Sequence, residues 1–82
     1  MKGKTLAAVL SGLSDKNIRF DDLRELLKSL GFRERVKGDH FIFSKTAVME
    51  IINLQPKGNK AKAYQVRQVR AVITRYKLGG ND

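Results

Sequence analysis

The sequence contains no cysteine, and it has only one proline and one histidine. Without cysteine the chain forms no disulfide and offers neither a thiolate metal site nor a thiol nucleophile. We therefore expect an intracellular protein. The apolar runs are only a few residues long, far below the roughly 20 residues that a membrane-spanning helix needs, and the first residues lack the apolar segment of a signal peptide. The sequence predicts a cytoplasmic protein without membrane contact.

Acidic residues are also scarce. The chain has 17 lysines and arginines against 8 aspartates and glutamates, which gives a formal net charge of +9. No acidic residue lies between Glu50 and Asp82. That stretch holds the basic residues Lys57, Lys60, Lys62, Arg67, Arg70, Arg75 and Lys77. A surplus this large on a small domain indicates a polyanionic partner, of which nucleic acid is the first candidate and an acidic protein the second.

Several kinds of site have no counterpart in the sequence. The glycines are scattered and form neither a GxGxxG nor a Walker pattern, so we expect no nucleotide cofactor. One histidine among dispersed acids supplies no cluster of metal ligands, so we expect no metal. Ser44 and Asp39 lie close to the histidine in sequence but in no nucleophile elbow, and acyl transfer is therefore not favoured.

Two apolar patterns predict helices in the first part of the chain. One stripe at helical spacing predicts a short helix over residues 5–13, and a second predicts a helix over 22–30. Asp21 or Asp22 can cap the second helix, and Gly31 ends it. The first stripe consists of Leu6, Val9, Leu10 and Leu13.

After the second helix the apolar period changes to two, which is typical of strands. Gly38-Asp39 predicts a two-residue hairpin turn of the type that takes glycine first, so that Lys37 is paired with His40. The pairing continues with Val36 and Phe41, Arg35 and Ile42, and Arg33 and Ser44. This register divides the side chains between two faces of the sheet. The face towards the helices holds Val36, Phe41 and Phe43, and the solvent face holds Arg33, Arg35, Lys37 and His40.

The remaining elements follow from composition and spacing. A third strand is predicted over residues 48–54 or 48–55, because β-branched residues are frequent there and Pro56 closes it. Residues 56–62 form a polar loop with three lysines. The last helix runs from about Tyr64 to Tyr76. Its predicted buried stripe is Val66, Val69, Val72, Ile73 and Tyr76.

The order α-α-β-β-β-α predicts an α+β fold in which helices pack on one face of a three-stranded antiparallel sheet. A chain of 82 residues is one domain. Within residues 1–82 we expect an N-terminal helix over 5–13, a core over 18–78 and a flexible tail over 79–82.

His40 is the best candidate for a catalytic group, although spacing alone favours an ordinary exposed histidine. Histidine can give and take a proton near neutral pH. Cleavage of RNA needs little more, because the substrate brings its own nucleophile, the 2′-hydroxyl, and nearby cations stabilise the charge on the phosphate. The candidates for RNA contact are Arg35, Lys37, Gly38, Lys57, Lys60 and Lys62.

A family resemblance supplies a more specific hypothesis. Five segments carry it, namely 18–23 (IRFDDL), 30–32 (LGF), 37–43 (KGDHFIF), 53–56 (NLQP) and 64–70 (YQVRQVR). In these segments the chain resembles the HicA (YcfA-like) toxins of bacterial type II toxin-antitoxin systems. The histidine that follows a glycine turn is the most specific feature of the match.

The resemblance implies a fold similar to a double-stranded RNA-binding domain and a metal-independent endoribonuclease that cleaves mRNA with His40. It also implies a HicB-like antitoxin that covers the site. Arg67 and Arg70 are candidates for contact with RNA or with an acidic antitoxin. The family usually has serine or threonine at the position of Asp39. A carboxylate there would favour a protonated His40, which suits a general acid, unless it pairs with a lysine.

Two other functions stay open from the residues alone. One is a non-catalytic RNA-binding module of the double-stranded type, which would use the same basic residues to contact phosphates. The other is a domain that binds only protein, through its basic surface. Fragments with cyclic phosphate ends would distinguish the nuclease from the module, and RNA binding at physiological salt would argue against the protein-binding domain.

Overall fold

The computed structural model describes residues 2–80 and has helices and strands in the predicted order. The helices are α1 (Lys2–Ser11), α2 (Phe20–Ser29) and α3 (Ala63–Arg75), with a short 3-10 turn at Asp15–Asn17. The strands are β1 (Arg33–Lys37), β2 (His40–Ser44), β3 (Ile52–Leu54), β4 (Pro56–Lys57) and β5 (Lys60–Ala61). The first three strands form one antiparallel sheet in the order β1-β2-β3. The predicted α+β class with a three-stranded antiparallel sheet is confirmed.

The hairpin of β1 and β2 has the predicted register. Lys37 lies opposite His40, and the pairing extends without a slip to Arg33 and Ser44. Gly38 has a φ of +62°, which glycine adopts at low cost and which the first position of this turn requires. The register fixes which side chains point towards the helices.

The core lies between the inner face of the sheet and the helices. Phe43 of β2 and Leu54 of β3 are completely buried, as is Leu23 of α2. The predicted stripe of α3 is buried from Val66 to Ile73, whereas Tyr76 is only partly buried. Helices with one apolar stripe become stable by packing it in this way.

The N-terminal helix differs from its predicted range of 5–13. It ends at Ser11 because Gly12 follows with a φ of +72°. Val9 is fully buried, but Leu10 is 43% exposed and Leu13, outside the helix, is 89% exposed. Of the predicted tail 79–82, Gly79 lies close to the side chains of α1, and residues 81–82 lie outside the described part of the chain.

The start of α2 was also predicted incorrectly. The helix begins at Phe20, with Arg19 at the N-cap and no side-chain cap, so Asp21 and Asp22 lie in its first turn. The backbone N–H of Phe20 instead donates a hydrogen bond to the carbonyl of Asn59 (2.9 Å). A carbonyl from the turn between β4 and β5, distant in sequence, thus takes the place of a side-chain cap.

The third strand is present, but its predicted start and the predicted lysine loop are the main errors of the prediction. Strand β3 covers only Ile52–Leu54, and the segment before it is not paired. Pro56 does not close a strand but begins β4, which pairs with β5 in a small second sheet. The segment before α2 also binds this hairpin, since the N–H of Ala61 donates a hydrogen bond to the carbonyl of Ile18 (2.9 Å).

Two partly buried ion pairs connect elements that are distant in sequence. Arg70 of α3 donates to both oxygens of Asp15 (2.9 and 3.1 Å) and to the carbonyl of Val9 (2.9 Å). Arg24 of α2 donates to both oxygens of Glu34 on β1 (2.6 and 3.1 Å). The hydrogen bond from Arg70 lowers the pKa of Asp15, and that from Arg24 lowers the pKa of Glu34.

Replacing Arg70 with alanine should lower the free energy of unfolding by about 1.5–3 kcal/mol, because Asp15 and the carbonyl of Val9 lose their charged donor. Urea denaturation measures the change. Thr74→Ala, exposed on the same helix, is the control and should stay within about 0.5 kcal/mol of the parent. Equal losses in the two variants would contradict the structural role of Arg70.

The two lowered carboxyl pKa values predict a loss of stability in acid. A carboxyl whose pKa is lowered in the folded state stabilises the protein fully above its ordinary pKa, here 3.8 for Asp15 and 4.5 for Glu34. That contribution disappears as the pH falls through the lower, folded-state value. Thermal unfolding from pH 6 to pH 2 (roughly the range of carboxyl titration) should show a smaller acid loss in Asp15→Asn than in the parent. The exposed Asp22→Asn should behave like the parent.

Candidate functional site

His40 is the first residue of β2 and lies directly after the hairpin turn. Its side chain is 46% exposed, on the solvent face of the sheet. Lys37 lies opposite it, and Arg35 occupies the same face two pairs further along β1. Both cations are exposed. The structure therefore brings together the predicted catalytic residue and the nearest predicted RNA contacts, including Gly38 in the turn.

The ring of His40 is oriented by Asn53 of β3. The ring Nδ1 lies 3.2 Å from the side-chain oxygen Oδ1 of Asn53. Since an amide oxygen only accepts hydrogen bonds, this contact assigns the proton of the neutral ring to Nδ1. The lone pair is then on Nε2, which is the nitrogen that can accept a proton from another molecule.

Asp39 is close to the histidine but not hydrogen-bonded to it. Its Oδ1 lies 3.8 Å from Nε2 of His40, and its other oxygen accepts a long hydrogen bond from Nε2 of Gln55 (3.4 Å). The side chain of Asp39 is 72% exposed. It does not pair with Lys37 or Lys57, since neither of these lysines is within salt-bridge distance of it. At this separation the carboxylate attracts a charged imidazolium without restraining the neutral ring.

A groove of about 350 Å³ lies between β3 and the first turns of α3, with His40 at its edge. The other lining residues are Ile51, Asn53, Gln55, Tyr64, Gln65 and Gln68. Apart from His40 and the hydrophobic Ile51, they carry amide groups or a phenol. The groove is thus polar but almost free of charge.

Gln65 fixes one wall of the groove and is 3% exposed. Its Oε1 accepts from the backbone N–H of Gln55 (3.1 Å), and its Nε2 donates to the carbonyl of Asn53 (3.3 Å) and to the hydroxyl of Tyr64 (3.3 Å). Sequence reasoning missed Gln65 because a polar residue was not expected inside. Its spacing of four from Val69, within the buried stripe of α3, was the available signal.

The predicted contacts in the lysine-rich segment lie elsewhere. Lys57 and Lys60 are exposed on β4 and β5, and Lys62 precedes α3. Nζ of Lys60 donates to the side-chain oxygen of Asn17 (3.0 Å). None of the three lines the groove beside His40. These lysines are therefore not part of the groove that contains His40.

The two arginines of α3 differ in their surroundings. Arg67 is exposed and available to a partner. The guanidinium of Arg70 is already bound by Asp15 and the carbonyl of Val9, and the side chain is 24% exposed. Of the two, Arg67 is the better candidate for a contact with RNA or an acidic protein.

Wider comparisons add no relative to this description. Comparisons of the chain with protein-family models, with curated proteins and with solved structures find no match. Within residues 2–80, no helix is long and apolar enough to cross a membrane, and no group of three or more histidine, cysteine or acidic residues could hold a metal ion. The resemblance to HicA toxins therefore depends on the sequence segments alone.

Replacing Gly38 with alanine should destabilise the hairpin that presents His40. An L-residue in the left-handed region costs about 1–2 kcal/mol, although a methyl group at Gly38 would meet no other atom within 4 Å. Thermal and urea unfolding measure the loss. Gly3→Ala in α1 is the matched control, because its methyl group also meets nothing within 4 Å and a helical backbone favours alanine. Equal or higher stability of Gly38→Ala would contradict the strain argument.

Proposed function

We propose that this protein is a metal-independent endoribonuclease of the HicA toxin type, which cleaves mRNA and is blocked by a HicB-like antitoxin. The observation that carries the proposal is the exposed His40, oriented through Nδ1 by Asn53 and flanked on its face of the sheet by Arg35 and Lys37. Cleavage of RNA requires at least a general base in a fixed orientation and nearby cations that stabilise the charge on the phosphate.

The reaction uses the 2′-hydroxyl of the substrate as nucleophile. Nε2 of His40 takes the proton of this hydroxyl while the 2′ oxygen attacks the adjacent phosphorus. The bond from phosphorus to the 5′ oxygen breaks, and the solvent protonates the departing oxygen. The products are a 2′,3′-cyclic phosphate and a 5′-hydroxyl, and no metal or other cofactor takes part.

The charges around His40 fit the two stages of this reaction. Arg35 and Lys37 stabilise the additional negative charge on the phosphate as the new bond forms. Asp39 stabilises the imidazolium after proton uptake, because it lies within Coulombic reach of Nε2 but makes no hydrogen bond to it. The same carboxylate also repels an approaching phosphate, so its effect on the rate has two opposed parts.

The remaining cations supply affinity rather than chemistry. Lys57, Lys60 and Lys62 do not line the groove, and in this proposal they bind phosphates elsewhere on the RNA strand. Exposed Arg67 and the net charge of +9 also favour an acidic surface on an antitoxin. RNA and antitoxin would then compete for the same positive potential.

His40→Ala should lower the rate of RNA cleavage by about 100-fold or more, because the imidazole that accepts the proton of the 2′-hydroxyl is lost. The assay compares a ribonucleotide strand with a deoxyribonucleotide strand of the same sequence, in the presence of a chelator. The parent should cleave only the ribonucleotide strand and should leave cyclic phosphate ends. Ser44→Ala, at the opposite end of β2, is the control and should cleave like the parent.

The outcome also tests the alternative of a non-catalytic RNA-binding module. Cleavage by the His40→Ala protein at the parental rate would reject the proposed mechanism. Binding of RNA that weakens steeply with salt but yields no cyclic phosphate ends in the parent would favour the module.

A further inference from the structure

The groove beside His40 has open hydrogen-bonding groups. Among the described residues, the side chain of Gln68, the Nδ2 of Asn53 and the Oε1 of Gln55 make no hydrogen bond. In contrast, the amide of Gln65 is satisfied by the surrounding structure. The open groups include both donors and acceptors, and they come from two different elements, β3 with the residue that follows it and α3.

Such groups match the edge of a nucleobase. An amide presents a donor next to an acceptor, as base edges do, and asparagine and glutamine form paired hydrogen bonds with adenine for this reason. A phosphate would instead require cations, and the described lining of the groove contains neither lysine nor arginine. The chemistry of the lining therefore selects a base and leaves the phosphate to Arg35 and Lys37.

Tyr64 adds an aromatic surface at the same place. It is 48% exposed at the start of α3, and its hydroxyl accepts a hydrogen bond from the buried Gln65. An exposed aromatic ring that is held in position is a common stacking surface for unpaired bases. A volume of about 350 Å³ is enough for one base with part of its sugar.

We propose that this groove binds one unpaired base of single-stranded RNA, stacked on Tyr64 and hydrogen-bonded by Asn53, Gln55 and Gln68. The inference builds on the proposed function, since it places this base next to the phosphate that His40 attacks. A duplex does not fit, because paired bases keep their edges in the helix and A-form RNA has a deep, narrow major groove. The substrate at the cleavage point is therefore single-stranded.

A binding experiment separates this inference from the nuclease activity. All proteins in it carry His40→Ala, so that RNA is not consumed and catalysis does not enter the measurement. Fluorescence anisotropy at fixed salt compares oligo(A), oligo(C) and oligo(U) strands with the oligo(A)·oligo(U) duplex of equal length. We expect single strands to bind more tightly than the duplex, with a preference for one base.

Two substitutions of Tyr64 form a matched pair, because both remove the hydroxyl and only one keeps the ring. Tyr64→Leu should weaken the binding of every single strand by about tenfold, whereas Tyr64→Phe, which loses only the bond from Gln65 and keeps the ring, should weaken it much less. Gln68→Ala should reduce the preference among the bases. Thr74→Ala, exposed on the same helix, should leave it unchanged. Circular dichroism confirms that each variant is folded.

The results distinguish the two proposals. Equal affinity for single strands and duplex, or unchanged affinity in folded Tyr64→Leu, overturns the base-binding groove even if the protein with His40 restored cleaves RNA. The expected binding pattern supports the groove even if that protein leaves RNA intact, in which case only the nuclease proposal is rejected.

Discussion

The pairing register of β1 and β2 is the constraint on which both the core and the site depend. Side chains alternate between the faces of a strand, so a slip of one residue would exchange the two faces completely. Phe43 would then leave the core, and His40 would turn towards the helices. The two-residue turn at Gly38 prevents this, because its positive φ fixes the strands opposite each other without an extra residue. The burial of Phe43 and Leu54 stabilises the same register from inside the domain.

The register also determines the charge of the two faces. Glu34 lies on the inner face, where Arg24 of α2 binds it and the guanidinium of that arginine stacks on the ring of Phe41. The acidic side chain of β1 is thereby removed from the outer face, which keeps Arg35 and Lys37. Because side chains alternate along β1, Glu34 cannot offset the charges of Arg35 and Lys37 on the face of His40.

The sequence predictions are accurate where a feature depends on neighbouring residues and inaccurate where it depends on residues far apart in sequence. The hairpin was predicted pair by pair, because turn chemistry and alternation are local. The third strand, expected over residues 48–54 or 48–55, is present but starts only at Ile52, since β-branched residues create a tendency but no partner. The N–H of Met49 is instead bonded to the hydroxyl of Tyr76, at the far end of α3. In the same way, His40 and its cations could be proposed from sequence, but the groove could not, because Gln65 joins β3 to α3 only after folding.

Hydrogen bonds of Asn53 on β3 connect His40 with the groove next to it. The side chain of Asn53 orients the ring of His40, and the backbone carbonyl of the same residue accepts from Gln65, which also holds the hydroxyl of Tyr64. A base that stacks on Tyr64 and contacts the free nitrogen of Asn53 would immobilise the residue that sets the proton position on His40. Binding energy from a base that does not react would thus be used to orient the group that does react. This coupling gives a physical reason why amides, and not further cations, lie next to the histidine. Cations would bind the phosphate of any nucleic acid equally well, whereas amides favour an RNA strand whose unpaired base is bound in the groove.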